Sequence, residues 1–159
     1  MKKIASFTVD HDRLKEGVYV SRIDHLGEET VTTFDLRFKL PNGGDYMTPK
    51  VAHTLEHLLA TYFRSDETIS DKVVYFGPMG CQTGMYLVLH GSYTSDDVLP
   101  MITASMEFVV GYEGEVPGTK RMECGQYELH DLAGAKEEAR TYLQVLQDID
   151  DSRLNYPAL

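Results

Sequence analysis

The chain has 159 residues, 42% of them hydrophobic, and a formal net charge of -10. That length bounds it to one domain, residues 1–159, with enough chain for an ordinary core. The acidic balance argues against nucleic acid or an anionic membrane surface as the main partner. No apolar run approaches the ~20 residues needed to span a bilayer. Met1-Lys2-Lys3-Ile4-Ala5-Ser6-Phe7 has no apolar stretch behind its lysines, so it does not read as a signal peptide, and a cytoplasmic location is expected.

In chain order, residues 1–16 read as an arm or loop. Residues 17–24, with Val18, Val20 and Ile23, read as a strand. Residues 29–40 alternate, with Thr32, Phe34, Leu36 and Phe38 as the apolar face of a second strand, and Gly27 lies in the turn between them. Residues 41–45 form a loop. Thr48 is a good N-cap and Pro49 suits the first helical position, so a helix is predicted over residues 49–65, with Val51, Leu55, Leu58, Leu59 and Tyr62 on its core face. Residues 72–76 read as a short strand. A glycine-rich turn over 77–84 holds Cys81, and a strand follows over 85–90. Ser95-Asp96-Asp97 caps a helix running to about residue 112; a last helix is predicted over 131–149. This order gives an α+β fold, a mostly antiparallel sheet covered by helices on one face.

His53 and His57 are four apart, so their rings lie one turn apart on one helix face, with Glu56 beside them. Two imidazoles so placed can hold one metal ion, and an adjacent carboxylate can move protons near it. His-x-x-Glu-His is the inverted form of the zincin motif. Taken alone, the pattern reads equally well as two surface histidines and a solvated Glu. A catalytic metal usually has three protein ligands. Cys124 is the best candidate for the third, since a thiolate suits Zn(II) and Fe(II), although a lone cysteine also reads as a small buried hydrophobe. The only other cysteine is Cys81; two cysteines in a reducing compartment read as ligands, nucleophiles or packing rather than a disulfide. His25, His90 and His130 have no partner pattern and read as structural or solvated. The spacing of Gly77, Gly80 and Gly84 fits neither a dinucleotide nor a phosphate loop.

Five blocks occur together: Ser6-Phe7-x-x-Asp10-His11, Phe34-Asp35-Leu36-Arg37-Phe38, His53-Thr54-Leu55-Glu56-His57-Leu58-Leu59, Pro78-Met79-Gly80-Cys81-Gln82-Thr83-Gly84 and Cys124-Gly125-Gln126. In order and approximate spacing they resemble the S-ribosylhomocysteine lyase (LuxS) family, which makes the precursor of the autoinducer-2 quorum signal. The resemblance runs from Ser6 to about Arg140. It implies cleavage of S-ribosylhomocysteine to homocysteine and 4,5-dihydroxy-2,3-pentanedione, by carbonyl migration and β-elimination of the thioether. It implies His53, His57 and Cys124 as ligands of one divalent metal per subunit, Fe(II) first and Zn(II) or Co(II) as alternatives. It implies Cys81 and Glu56 as the acid–base pair, and Ser6, His11, Arg37, Arg64 and Tyr86 as substrate contacts. One position departs: the acidic residue expected six positions before the catalytic cysteine is Tyr75 here.

Ser6 and His11 lie on an arm with little apolar content to anchor it at home. The resemblance implies a homodimer with sites at the interface, arm residues of one chain facing the metal of the other. Two rivals share parts of the pattern. One is an inverted-zincin metallopeptidase with Glu107 or Glu123 as third ligand. The other is a non-catalytic metal-binding module.

Overall fold

A computed structural model describes residues 1–157. Strands β1 (Gly17–Leu26), β2 (Glu29–Arg37), β3 (Val73–Pro78) and β4 (Gly84–His90) form an antiparallel sheet in the order β1-β2-β4-β3. Helices α1 (Pro49–Ser65), α2 (Ser95–Gly111) and α3 (Leu132–Gln147) cover one of its faces. The core between them joins Val18, Phe34, Leu36, Leu87 and Leu89 of the strands to Leu55, Leu58, Ile102, Val109 and Ala139 of the helices. No helix among the described residues is long and apolar enough to cross a membrane.

Helix α1 carries the inverted motif, and its sequence explains its placement. Thr48 Oγ1 accepts the Val51 N–H at 3.2 Å, Pro49 occupies the first turn, and no Gly or Pro interrupts the helix before Ser65. Leu55, Leu58, Leu59 and Phe63 are fully buried; truncating one such leucine to Ala costs ~2–5 kcal/mol. Tyr62, expected on the core face, is only half-buried and packs against Phe108; Phe63 takes the inward place. His53, Glu56 and His57 are half-buried on the remaining face. Thr54 holds this face to the start of α3: its hydroxyl donates to the Lys50 carbonyl at 2.8 Å and accepts the Asp131 N–H at 2.9 Å.

Several boundaries differ from the sequence reading for identifiable reasons. Strand β2 stops at Arg37, short of residue 40, because the N–H groups of Phe38 and Lys39 both turn to the Thr83 carbonyl. Strand β1 runs to Leu26 through an irregularity between Val20 and Arg22. The cap of α2 is Thr94, in a reciprocal capping box with Asp97.

Part of the face of the sheet away from the helices is also covered. Alternation puts Thr33, Asp35 and Arg37 there, yet Asp35 is 1% and Arg37 3% exposed. Their cover comes from the two ends of the chain. Tyr156 stacks on Tyr19 with ring centroids 4.9 Å apart and donates its hydroxyl to Asp35. The tail is pinned by Arg153, which donates to the Glu16 carbonyl, and by Ser95, which donates to the Leu154 carbonyl.

Candidate metal centre and thiolate cavity

The ligand atoms of His53, His57 and Cys124 lie within 4.8 Å of one another, and Cys124 Sγ is 3.5 Å from His53 Nε2. Each ring is oriented from behind. His53 Nδ1 donates to the Leu129 carbonyl at 2.8 Å, and His57 Nδ1 donates to the Pro117 carbonyl at 2.7 Å. A carbonyl can only accept, so Nδ1 carries the proton on both rings and each Nε2 lone pair is left toward the thiol. The Pro117–Gly118 turn makes the second contact possible. Gly118 sits at φ +73, and a Cβ there would lie 3.0 Å from His57 Nδ1.

Two imidazoles held through Nδ1, which leaves Nε2 as the ligand atom of each, and one sulfur suit a divalent metal of intermediate softness. Neither Glu107 nor Glu123 joins this cluster among the described residues; Glu123 Oε2 instead accepts the Lys120 N–H. His130, read from sequence as structural or solvated, stacks on His53 at 4.3 Å and meets His57 edge-on at 4.9 Å. Burial first, then its two histidine neighbours, hold its pKa below the ordinary value, and its ring forms one wall of the centre. Glu56 and His53 line a cleft of about 330 Å³ with Gln82 and Gln126.

Cys81 faces a different cavity. The turn between β3 and β4 is closed by the Met79 N–H to the Gly84 carbonyl at 2.9 Å. Gly84 is required there: a Cβ would lie 2.5 Å from the Leu36 carbonyl oxygen on the neighbouring strand. Cys81 Sγ lies 3.0 Å from Thr83 Oγ1 and 3.8 Å from Arg37 Nη1. Burial alone would raise this thiol. The hydrogen bonds of the Thr83 side chain and backbone, joined by the Arg37 charge, outweigh it, and the net direction is down. Arg37 Nη1 also donates to Thr83 Oγ1 at 2.7 Å, while Nε and Nη2 fork onto the two Asp35 oxygens at 3.0 and 2.6 Å.

That cavity, about 210 Å³, is lined by Ser6, His11, Arg37, Cys81 and Tyr86, with Asp35 and Tyr156 in its wall. His11 Nδ1 donates to the Val9 carbonyl at 2.9 Å. The arm therefore lies beside the Cys81 of its own chain. Ser6 and Tyr86 also line an adjoining space of about 230 Å³ with Tyr75 and Arg22. The Tyr75 ring folds back over Gly77, whose hypothetical Cβ would lie 2.0 Å from the phenol oxygen. Arg64 lines none of these spaces; it donates to the Val73 and Val74 carbonyls and ties α1 to β3.

The two sets of groups occupy opposite sides of the sheet. Arg37 projects to the face away from α1, and Cys81 goes with it; the histidines sit on the helix packed against the other face. Met79 and Gly80 of the turn border both spaces. The sequence singles out His53, His57, Cys124 and Cys81, which the fold gathers into a cluster that could hold a metal and a separate thiol cavity, but not Asp35, Thr83 and Tyr156 beside that thiol. Asp35 and Thr83 stood inside recognised blocks, and only the turn geometry gives them partners. No pattern marks Tyr156, which arrives from the far end of the chain.

A family model described as S-Ribosylhomocysteinase (LuxS) matches residues 4–152. The chain is 48% identical over 158 residues to the S-ribosylhomocysteine lyase of Porphyromonas gingivalis, covering 99% of each. It is 50% identical over 158 residues to the protein of that name from Phocaeicola vulgatus, covering 99% of this chain and 98% of that one. For the Desulfotalea psychrophila protein of that name the identity is 46% over 159 residues, covering 99% of this chain and 100% of the other.

Proposed function

The chain belongs to the S-ribosylhomocysteinase (LuxS) family, a carbon–sulfur lyase family, and we propose that it cleaves S-ribosylhomocysteine by moving a carbonyl along the sugar and then eliminating homocysteine. The observation that carries this reading is the pairing, in one chain, of a His53/His57/Cys124 cluster with a thiol lowered by Thr83 and Arg37. The peptidase alternative has no support, since the third group beside the histidines is a thiol rather than a carboxylate.

A thioether leaves readily only when a carbonyl stands two carbons away, so the ribose carbonyl must travel from C1 to C3 before the C5–S bond breaks. Each move is an enolisation. A divalent metal held by His53, His57 and Cys124 would supply Lewis-acid polarisation of the sugar oxygens; Fe(II) is the first choice, with Zn(II) or Co(II) suited to the same donors. Cys81, as thiolate, takes the C2 proton and returns it to C1, then takes the C3 proton and returns it to C2. Glu56 removes the C4 proton once the carbonyl is at C3. The C5–S bond then breaks with its electron pair going to sulfur, which takes up the proton held by Glu56 and leaves as homocysteine; the enol tautomerises to 4,5-dihydroxy-2,3-pentanedione.

The remaining roles follow the cavities. Ser6, His11 and Tyr86 bind the substrate around Cys81. Arg37 acts first on the thiol, since four of its five N–H donors go to Asp35, Thr83 and Cys81, and the remaining Nη2–H is free for a sugar oxygen in the cavity that Arg37 lines. The amino-acid end of the substrate lies toward Tyr75 and Arg22, where Tyr75 replaces the expected carboxylate. One domain serves the whole reaction, and two free thiols suit a reducing cytoplasm.

The protein works as a homodimer, with Cys81 and the arm of one chain facing the metal cleft of the other. Two observations support this: Cys81 and Glu56 line different cavities of their own chain, and the arm leaves Ile4 exposed beside Tyr75 and Phe7 exposed at the Cys81 cavity, apolar surface suited to a second copy. The test of the activity is direct. Anaerobically purified protein is incubated with S-ribosylhomocysteine, and free thiol is titrated while the diketone is trapped with a diamine. Equal amounts of both products are expected; release of neither overturns the reading.

A further inference from the structure

We propose that Tyr156 is a positioning residue for Cys81, acting through Asp35 and Arg37. The inference rests on the reading of Cys81 as the base. Tyr156 Oη donates to Asp35 Oδ2 at 2.7 Å, and its ring is fixed by the stack on Tyr19. Asp35 in turn holds Arg37 through two hydrogen bonds, and Arg37 Nη1 reaches Cys81 Sγ at 3.8 Å. The chain Tyr156–Asp35–Arg37–Cys81 thus links the tail of the protein to its reactive sulfur. Asp35 and Arg37 are buried, so water screens little of their effect on one another.

The sign of the effect follows from the charges. Asp35 opposes a thiolate, because its negative charge offsets much of the positive charge Arg37 presents to sulfur. A phenol O–H aimed at the carboxylate withdraws part of that negative charge and leaves Arg37 the more positive toward Cys81. Tyr19, although stacked on Tyr156, spends its own hydroxyl on the Lys15 carbonyl and cannot substitute. The titratable groups around Cys81 are His11 from the arm, Asp35 and Arg37 from β2, Tyr86 from β4 and Tyr156 from the tail. Among these, Tyr156 is the one whose hydroxyl is donated to the carboxylate.

The test is the pH profile of Cys81 alkylation by iodoacetamide in the metal-loaded protein, read at that cysteine by peptide mass spectrometry. Tyr156→Phe keeps the stacked ring and removes the donor. It should slow alkylation about two- to tenfold at pH 7, the worth of one such hydrogen bond, and move the profile to higher pH with its alkaline plateau unchanged. Introducing 3-fluorotyrosine at position 156, a more acidic phenol and stronger donor, should move the profile the other way. A Phe profile that superimposes on the wild type overturns the proposal. So does a lowered plateau without a shift, which would mean altered access only. If Tyr156→Phe does not fold, as judged by circular dichroism, the fluorotyrosine protein decides: a profile that stays put or moves upward overturns it. Turnover by Cys81→Ser would instead overturn the base assignment, leaving the alkylation result to stand or fall separately.

Discussion

Arg37→Met separates what Arg37 does for the fold from what it does for the thiol. In the wild type its guanidinium forks onto Asp35 at 3.0 and 2.6 Å, with both residues almost wholly buried. Removing the cation leaves Asp35 buried with only the Tyr156 hydroxyl as partner, a change that typically costs ~3–5 kcal/mol. At ~2–4 °C per kcal/mol for a chain of this size, the melting temperature should fall by about 6–20 °C. The double variant Asp35→Asn/Arg37→Met removes the orphaned charge and should recover most of that loss. The thiol should not recover with it. Cys81 lies 3.8 Å from Arg37 Nη1, and losing a charged donor worth ~1.5–3 kcal/mol should slow Cys81 alkylation at neutral pH by about tenfold or more in both variants. Calorimetry and the alkylation rate, measured on the same three proteins, give the two readouts. If alkylation recovers in step with stability, Arg37 serves only the fold, and its electrostatic role toward Cys81 is refuted.

Other outcomes follow from the same geometry. Cys124→Ala should lose bound metal while Cys81→Ala keeps it and loses turnover; metal analysis of both decides, and the reverse pattern would exchange the two roles. With Glu56 proposed as the base for the C4 proton, Glu56→Gln should accumulate a ketone intermediate and release little homocysteine; a rate loss of ~10²–10⁴ is the usual scale for a missing base. Carbon NMR with labelled sugar reads this, and unchanged starting sugar would mean Glu56 acts from the first step. Gly118→Ala should weaken metal binding, since its Cβ would press on His57 Nδ1 at 3.0 Å and its φ of +73 disfavours a side chain; unchanged affinity in a competition titration would show that the turn yields freely.

Much of this was legible in the sequence because it is local. Period and caps place α1, and the i, i+4 spacing places His53 and His57 on one face without any tertiary information. The apolar face of β2 is read the same way, from Thr32, Phe34 and Leu36. What was not legible depends on distant partners. Asp35 and Arg37 look like the polar face of a half-exposed strand, and only a tail 121 residues further on, through Tyr156, makes that face an interior. His130 has no pattern because its neighbours, His53, Thr54 and His57, lie more than 70 residues back on α1. The arm was expected to face a partner's metal; its place beside Cys81 of its own chain shows that the arm and the thiol travel together, which changes the pair of variants that can complement one another.

The division of one reaction between the cleft of one chain and the cavity of its partner is tested most directly by mixing two inactive proteins. Cys81→Ala and Glu56→Gln are co-refolded in equal amounts with metal, and homocysteine release is measured. Random pairing makes about half the dimers mixed, each with one intact site of two, so about a quarter of wild-type activity should return. A His11→Ala and Cys81→Ala mixture, both altered in the same cavity, should stay inactive. If the Cys81→Ala and Glu56→Gln mixture also stays inactive while its chains are shown to exchange, each chain holds its whole site and the shared arrangement is wrong.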